Sequence, residues 1–485
     1  MILLYGGTVV TPRESFQASV LMDGERIARV LRCGDAEKGM LPTPENVMKE
    51  LRLTPESVRI EDVTGRLLFP GFIDAHTHFD LHVAGTVTCD DFRSGTRAAI
   101  GGGTTTIIDF GTAYPGESLK QGMQNWLRKT EDGVYCDFGI HMTITDWNEE
   151  IRRECADMMD AGISTFKVYL TYDTMIDDRT LYEVLVRLKE VGGITGCHCE
   201  NAGLIEALRD AYIAQGKGAK VSSHYLTRPA AAEAEAISRY LRMAQVADAA
   251  VIDVHLTCEE GLKEIRAARE RGQTVYAETC PQYLTMTKKC MNTEDFSGAK
   301  YVCAPPLRSR VDNDALWKAV ADGEIQTICT DHCAFTLAQK ELGRDDFRKI
   351  PGGMPGVEYR GEVIYSEGVA KGRITREKMC EVLSENVAKL YGLYPRKGVI
   401  AEGADADIVV LNPQGKRTIS ALTQLSRCDY APLEGLEITG TIEKVYLRGQ
   451  LAAQDRNVTE EMRGRFLRRE RFRPLSKIQD VFCAQ

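Results

Sequence analysis

The 485-residue chain has no run of about eighteen apolar residues, the length a helix needs to cross a bilayer, so a protein built on spanning helices is excluded. Its start, Met1-Ile2-Leu3-Leu4-Tyr5-Gly6-Gly7, places no basic segment ahead of its short apolar run, so no secretory leader is expected. Positive charge is not in excess. Sixty-one Lys and Arg against 70 Asp and Glu leave a net charge of −9, which argues against a chain-wide nucleic-acid footprint. None of the 15 cysteines stands in Cys-x-x-Cys spacing, so a structural zinc site of thiolates is not indicated. In a long chain without a leader these cysteines are expected as free thiols, which points to the cytoplasm. No internal repeat or low-complexity block stands out. No Gly-x-Gly-x-x-Gly opens a helix after the first strand, which weighs against an open dinucleotide-binding sheet. Histidines number only eight, and where they fall becomes the question.

What is present alternates. Residues 1–30 read as short apolar runs separated by turns such as Gly6-Gly7 and Asp23-Gly24, the pattern of antiparallel hairpins. Residues 33–60 are a polar excursion with a little helix. Hairpin patterning returns at 406–411 and 444–449. Between these ends lie eight apolar strand candidates, at 67–78, 104–110, 136–143, 164–170, 194–199, 250–256, 274–279 and 325–330, most followed by helical periodicity. The fold class is therefore α/β. A (β/α)8 TIM barrel over 67–395 is expected, with a smaller β-sandwich domain formed from both termini, residues 1–66 and 396–456. Residues 457–485 form a basic C-terminal arm. Packing on a neighbouring acidic subunit is a better account of it than nucleic-acid binding.

Barrel active sites form at the C-terminal ends of the strands. His76 and His78 end the first strand two residues apart, which puts both imidazoles on one face. Lys167 lies late in the fourth strand, His198 in the fifth, His255 in the sixth, and Asp331 just after the eighth. Five strands delivering a ligand-type residue at the same end are hard to explain as packing. A lysine in an apolar strand is costly to bury charged. As a neutral amine it can add carbon dioxide, and the resulting carbamate can bridge two divalent cations. Cations about 3.5–4 Å apart make water nucleophilic at neutral pH.

The segments Asp74-Ala75-His76-Thr77-His78, Gly102-Gly103-Thr104-Thr105-Thr106, Ser164-Thr165-Phe166-Lys167, Glu278-Thr279-Cys280-Pro281-Gln282-Tyr283-Leu284, Pro305-Pro306-Leu307-Arg308, Thr330-Asp331-His332-Cys333 and Pro355-Gly356-Val357-Glu358 together resemble the dihydropyrimidinase/hydantoinase family of the amidohydrolase superfamily. The resemblance runs from the first strands to about Phe466. It implies two zinc ions, one on His76, His78 and Asp331 and the other on His198 and His255, bridged by Lys167 as N6-carboxylysine. It implies that Asp331 shuttles a proton and that Tyr172, five residues after the lysine, donates to the developing oxyanion. Tyr172, Ala304 and Gly352 would contact a small cyclic amide, and the assembly would be a homotetramer or homodimer without nucleic-acid or membrane partners. The chain departs from the family twice, with Ala304 where serine is usual and Gly352 where asparagine is usual. Both positions contact substrate mainly through backbone, so the departures bear on which ring is preferred. Phe79-Asp80 after His78 argues against a dihydroorotase. Allantoinase, another cyclic-imide or ureide hydrolase, and a non-catalytic scaffold of the same family are the alternatives. Loops at 81–89, 112–118 and 172–176 are expected to line the substrate entrance.

His332 is expected to make a structural hydrogen bond, His224 to serve fold or interface, His141 to sit in or under the site, and His82 near its mouth. Cys197 and Cys199 flank His198, so they point to the opposite face as core residues.

Overall fold

The computed structural model describes residues 1–32 and 43–479. The segment 67–78, which the sequence suggests is one strand, is two strands belonging to two different sheets. Leu67–Pro70 joins the β domain, and Phe72–Thr77 is the first barrel strand. Gly71 is the hinge. A Cβ there would stand 2.1 Å from Thr105 Oγ1 and 2.9 Å from Asp407 Cβ, so only a residue without a side chain passes between the sheets. Its N–H donates to Asp407 O at 2.8 Å.

From Phe72–Thr77 the chain builds eight parallel strands in sequential order: Thr104–Thr112, Asp137–Thr143, Thr165–Tyr169, Ile194–His198, Val251–Asp253, Val275–Thr279 and Thr327–Ile328. Every expected strand is found. Their residues are almost all buried, because side chains fill the inside and helices cover the outside. The sheet closes into a TIM barrel through His332, whose carbonyl accepts from the His78 N–H at 2.8 Å and whose N–H donates to His76 O at 3.3 Å. Ser118, Asn148, Asp177, Asn201 and Ser309 each cap the N-terminus of the helix that follows a strand or loop. Each side chain accepts from a backbone N–H in the first turn.

The strands from both termini are hydrogen-bonded into a nine-stranded sheet. Leu67–Pro70 joins its two halves, parallel to Ile2–Val10 on one side and antiparallel to Ile408–Thr418 on the other. The excursion carries one short helix, Pro44–Glu50, while its residues 33–42 lie outside the described part.

A buried ion network ties this sheet to the barrel. Lys397 Nζ lies 2.7 Å from Asp137, 2.6 Å from Asp407 and 3.0 Å from Asp405, and Arg448 also pairs with Asp137. Burial works against the charge of Lys397, but the three aspartates outweigh it and hold its pKa up.

The basic arm packs on its own chain. Residues 463–472 run along the N-terminal floor of their own barrel. Their backbone bonds with Val134, Phe138, Gly162, Gly192 and Gly392 at 2.7–2.9 Å. Leu467 and Arg469 are buried, and the Arg469 guanidinium donates to Ile140 O at 2.5 Å. This stretch satisfies backbone groups at its chain's own strand starts. Residues 480–485 lie outside the described part.

Removing Asp137 would take from Arg448 its close buried carboxylate and from Lys397 one of three. Asp137→Ala should lower stability by about 3–5 kcal/mol, read as a fall in Tm. A Tm equal to that of the wild type would show the network to be dispensable.

Candidate metal centre and active site

The first barrel strand brings His76 and His78 to the C-terminal mouth on one face, ring centroids 5.3 Å apart. The fit is tight because Asp74, on the same strand, accepts from both the N–H and the hydroxyl of Thr330, at 3.1 and 2.7 Å. That ties the first strand to the end of the eighth and delivers Asp331. Its Oδ1 stands 3.2 Å from His76 Nε2 and 3.1 Å from His78 Nε2. One ligand atom from each of the three residues fits within 4.8 Å of the others, so this group could hold a metal ion. Burial pushes the Asp331 carboxyl up, but the two imidazoles hold it well below its ordinary range.

Tautomers are set from behind. His76 Nδ1 donates to Glu278 at 2.6 Å, which leaves Nε2 facing Asp331 as a buried atom without an aligned hydrogen bond. His198 Nε2 donates to Glu200 at 2.7 Å, which leaves Nδ1 with its lone pair. Glu200 also accepts from Arg228. Burial would raise the Glu200 carboxyl, but Arg228 and His198 hold it low. Imidazoles oriented by a carboxylate behind them and presenting a bare nitrogen in front are what a divalent cation requires.

Across the mouth, His255 lies 4.6 Å from His198 and 5.3 Å from His76 by ring centroids, and its Nδ1 is buried without a partner. Lys167 lies between these groups, 1% exposed. Its Nζ stands 4.7 Å from the Phe110 ring and 5.3 Å from the Tyr169 ring, with no carboxylate in ion-pair contact among the described residues. Burial lowers its pKa, against the opposing pull of Asp331 and Glu278. Orphaned imidazole nitrogens, a carboxylate and a buried amine form a donor set that fits divalent metal.

Tyr172 stands at the rim, its ring 5.0 Å from His198 and 5.5 Å from the Arg228 guanidinium. Tyr172, His255 and Asp331 all have left-handed backbones, with φ of +71°, +44° and +53°. Such conformations are costly outside glycine and collect at functional sites. Ala304 and Gly352 are brought together. A Cβ built on Gly352 would lie 3.9 Å from that of Ala304. Among the described residues no hydrogen bond engages the backbone N–H or C=O of either one.

The other histidines divide as their positions suggest. His332 Nε2 donates to Asp90 at 3.0 Å, and its Nδ1 accepts from Gly356 and Val357. His224 bonds Cys303 O at 2.8 Å, and His141 bonds Ala75 O at 3.0 Å beneath the site. His82 is exposed, and its carbonyl accepts from the Tyr114 hydroxyl at 3.3 Å, which links two of the expected entrance loops. Cys197 and Cys199 are buried core residues, and all 13 described cysteines are free. Among the described residues no helix is long and apolar enough to cross a membrane.

Reading residue types strand by strand misses Glu278, Glu200 and Arg228. Glu278 carries a usable signal, a carboxylate near the end of the otherwise non-acidic strand Val275–Thr279. Glu200 and Arg228 are 28 positions apart and meet only in the fold. Glu278→Gln should weaken metal affinity by about 10–100-fold, because the amide cannot hold the His76 tautomer as firmly. Metal titration followed by mass spectrometry checks this, and an unchanged affinity would remove the orienting role.

The amidohydrolase family profile matches residues 67–452. The chain is 38% identical to a D-hydantoinase of Geobacillus stearothermophilus over 99% of this chain and 98% of that protein. It is 40% identical to a D-phenylhydantoinase of Escherichia coli over 85% and 90% of the two. Among solved structures, a dihydropyrimidinase from Brevibacillus agri superposes with a TM-score of 0.91 at 39% identity, covering 97% of this chain and 99% of that one. With a metal-type site at the mouth of a matching barrel and a match along its whole length, the chain belongs to the amidohydrolase family, among its hydantoinase and dihydropyrimidinase members.

Proposed function

We propose that the protein is a binuclear zinc hydrolase that opens the ring amide of dihydropyrimidines or 5-substituted hydantoins to give N-carbamoyl amino acids. The observation that carries this reading is Lys167, fully buried, without an ion-pair partner, amid four imidazoles and a carboxylate at the barrel mouth. Burial there disfavours a charged ammonium, and Asp331 and Glu278 offset that only in part. A neutral amine that adds carbon dioxide and releases one proton becomes an anionic ligand with two oxygens. His76, His78 and Asp331 would hold one zinc, His198 and His255 the other, with carboxylated Lys167 between them. Bound there, the pair would supply Lewis acidity and lower the pKa of water at the site.

The chain's own groups do the rest. Asp331, whose carboxylate lies at the barrel mouth beside His76 and His78, accepts a proton from the attacking water. The water oxygen bonds to the ring carbonyl carbon, the ring C–N bond breaks, and Asp331 returns the proton to the departing nitrogen. The Tyr172 hydroxyl donates to the carbonyl oxygen as negative charge develops on it. A tyrosine hydroxyl, with an ordinary pKa of about 10, is protonated at neutral pH and so can donate. The free backbone groups of Ala304 and Gly352 would pair with the cyclic amide. The loops bearing Tyr114 and Met175 would meet the ring substituent. An allantoinase or other cyclic-imide hydrolase would use the same centre. A non-catalytic scaffold fits poorly with six ligand-type residues in place. A cytoplasmic homotetramer or homodimer completes the proposal.

The deciding experiment is an assay with dihydrouracil, 5-substituted hydantoins, allantoin and dihydroorotate, with metal analysis on the same sample. Turnover of the first two with about two metal ions per chain is expected. Inactivity on every ring with metal bound would reject the reading. Lys167→Ala should lose the metals and the activity together, and retention of both would remove the bridging role. Tyr172→Phe should lower kcat by roughly 10²–10³-fold with metals retained. An unchanged kcat would remove the oxyanion role.

A further inference from the structure

Lys340 is buried as deeply as Lys167 but lies outside the metal-type centre. It ends the short helix Leu337–Lys340, which follows strand eight and its extension. Thr336 and Gln339 cap that helix reciprocally. Gln339 also donates to Thr86 Oγ1 at 2.8 Å and to Val87 O at 2.6 Å, so the helix is anchored to one of the entrance loops. The Lys340 ammonium is 1% exposed and donates to three backbone carbonyls, Val302 O at 3.0 Å, Pro351 O at 2.6 Å and Gly353 O at 2.8 Å. The Phe335 ring lies 5.5 Å beneath it.

These three acceptors come from two separate segments of chain. Pro351 and Gly353 flank Gly352 on either side, and Val302 lies two residues before Ala304. Three carbonyl dipoles pointing at one another repel, and three ammonium protons answer all three. The segments also meet directly, the Gly353 N–H donating to Val302 O at 2.9 Å. Gly353 has no freedom to adjust. At φ +151° a Cβ there would stand 2.2 Å from Cys333 O. Every carbonyl around the pair is thus engaged, while Ala304 and Gly352 keep both their backbone groups unpaired. An apolar side chain would fill the same space without the desolvation a buried ammonium suffers, so packing alone does not account for a lysine here.

We propose that Lys340 is a positioning residue that clamps the segments bearing Ala304 and Gly352, so that their free backbone groups face the ring of the substrate together. This rests on the proposed ring-opening function for its purpose, but not for the clamp itself.

Two measurements on the full-length metal-loaded protein separate these. Hydrogen exchange is followed in wild type, K340M and K340Q, the glutamine keeping a donor in case the methionine variant does not fold. Faster exchange confined to residues 302–306 and 350–356 is expected, and exchange unchanged there overturns the clamp. Steady-state kinetics on whichever ring the wild type hydrolyses should show KM raised about tenfold in K340M, the equivalent of one lost hydrogen bond. The value of kcat should change less than about threefold, with metal content unaltered and K340Q intermediate. An unchanged KM, or a loss confined to kcat, overturns the positioning role. A wild type that hydrolyses no ring rejects the functional reading, and the exchange result still decides the clamp.

Discussion

The site depends on one constraint, that ionisable groups cannot be taken out of water alone. At the barrel mouth His76, His78, Lys167, His198, His255 and Asp331 are all nearly inaccessible, and most of what surrounds them answers that cost. Glu278 stands behind His76, and Glu200 stands behind His198 with Arg228 behind it in turn. What remains unanswered is on the inner side: bare imidazole nitrogens and an amine without a counter-charge. Groups left in that state in a closely packed interior mark where a ligand supplies the missing half.

The same constraint operates at the opposite end of the barrel, with the opposite outcome. Lys397, Arg448, Asp137, Asp405 and Asp407 bring two cations to three carboxylates in direct ion pairs. That cluster joins the barrel to the terminal sheet through charges that answer one another within the chain. Arg469 is buried on the barrel floor with its Nη2 on a carbonyl, and the arm that carries it follows the starts of the strands. The bottom of the barrel is thus built for cohesion and the top for chemistry, as the polarity of parallel strands allows.

Much of this is legible before folding. Eight apolar segments alternating with helical periodicity identify the barrel, and the His-x-His pair needs only strand parity to share a face. Other features are not legible. Leu67 to His78 reads as one apolar strand, because nothing local shows that Gly71 passes between two sheets and needs the absence of a Cβ. The own-chain contacts of the arginine-rich arm are hidden in the sequence, because its acceptors are carbonyls at strand starts hundreds of residues away. Glu200 and Lys340 have nothing unusual around them in the sequence, and their partners are set by register and loop packing.

The sequence by itself determined the fold class, the residue types at the six positions proposed as ligands and their placement at one end of the strands, because periodicity and parity are local properties. Only the tertiary structure decided which nitrogen of each imidazole is left bare, that Lys167 has no counter-charge, and that Ala304 and Gly352 stand side by side with their backbone groups free. Those depend on atoms brought together across hundreds of residues, and hydrogen-bond direction and desolvation exist only once the surrounding groups have closed around them.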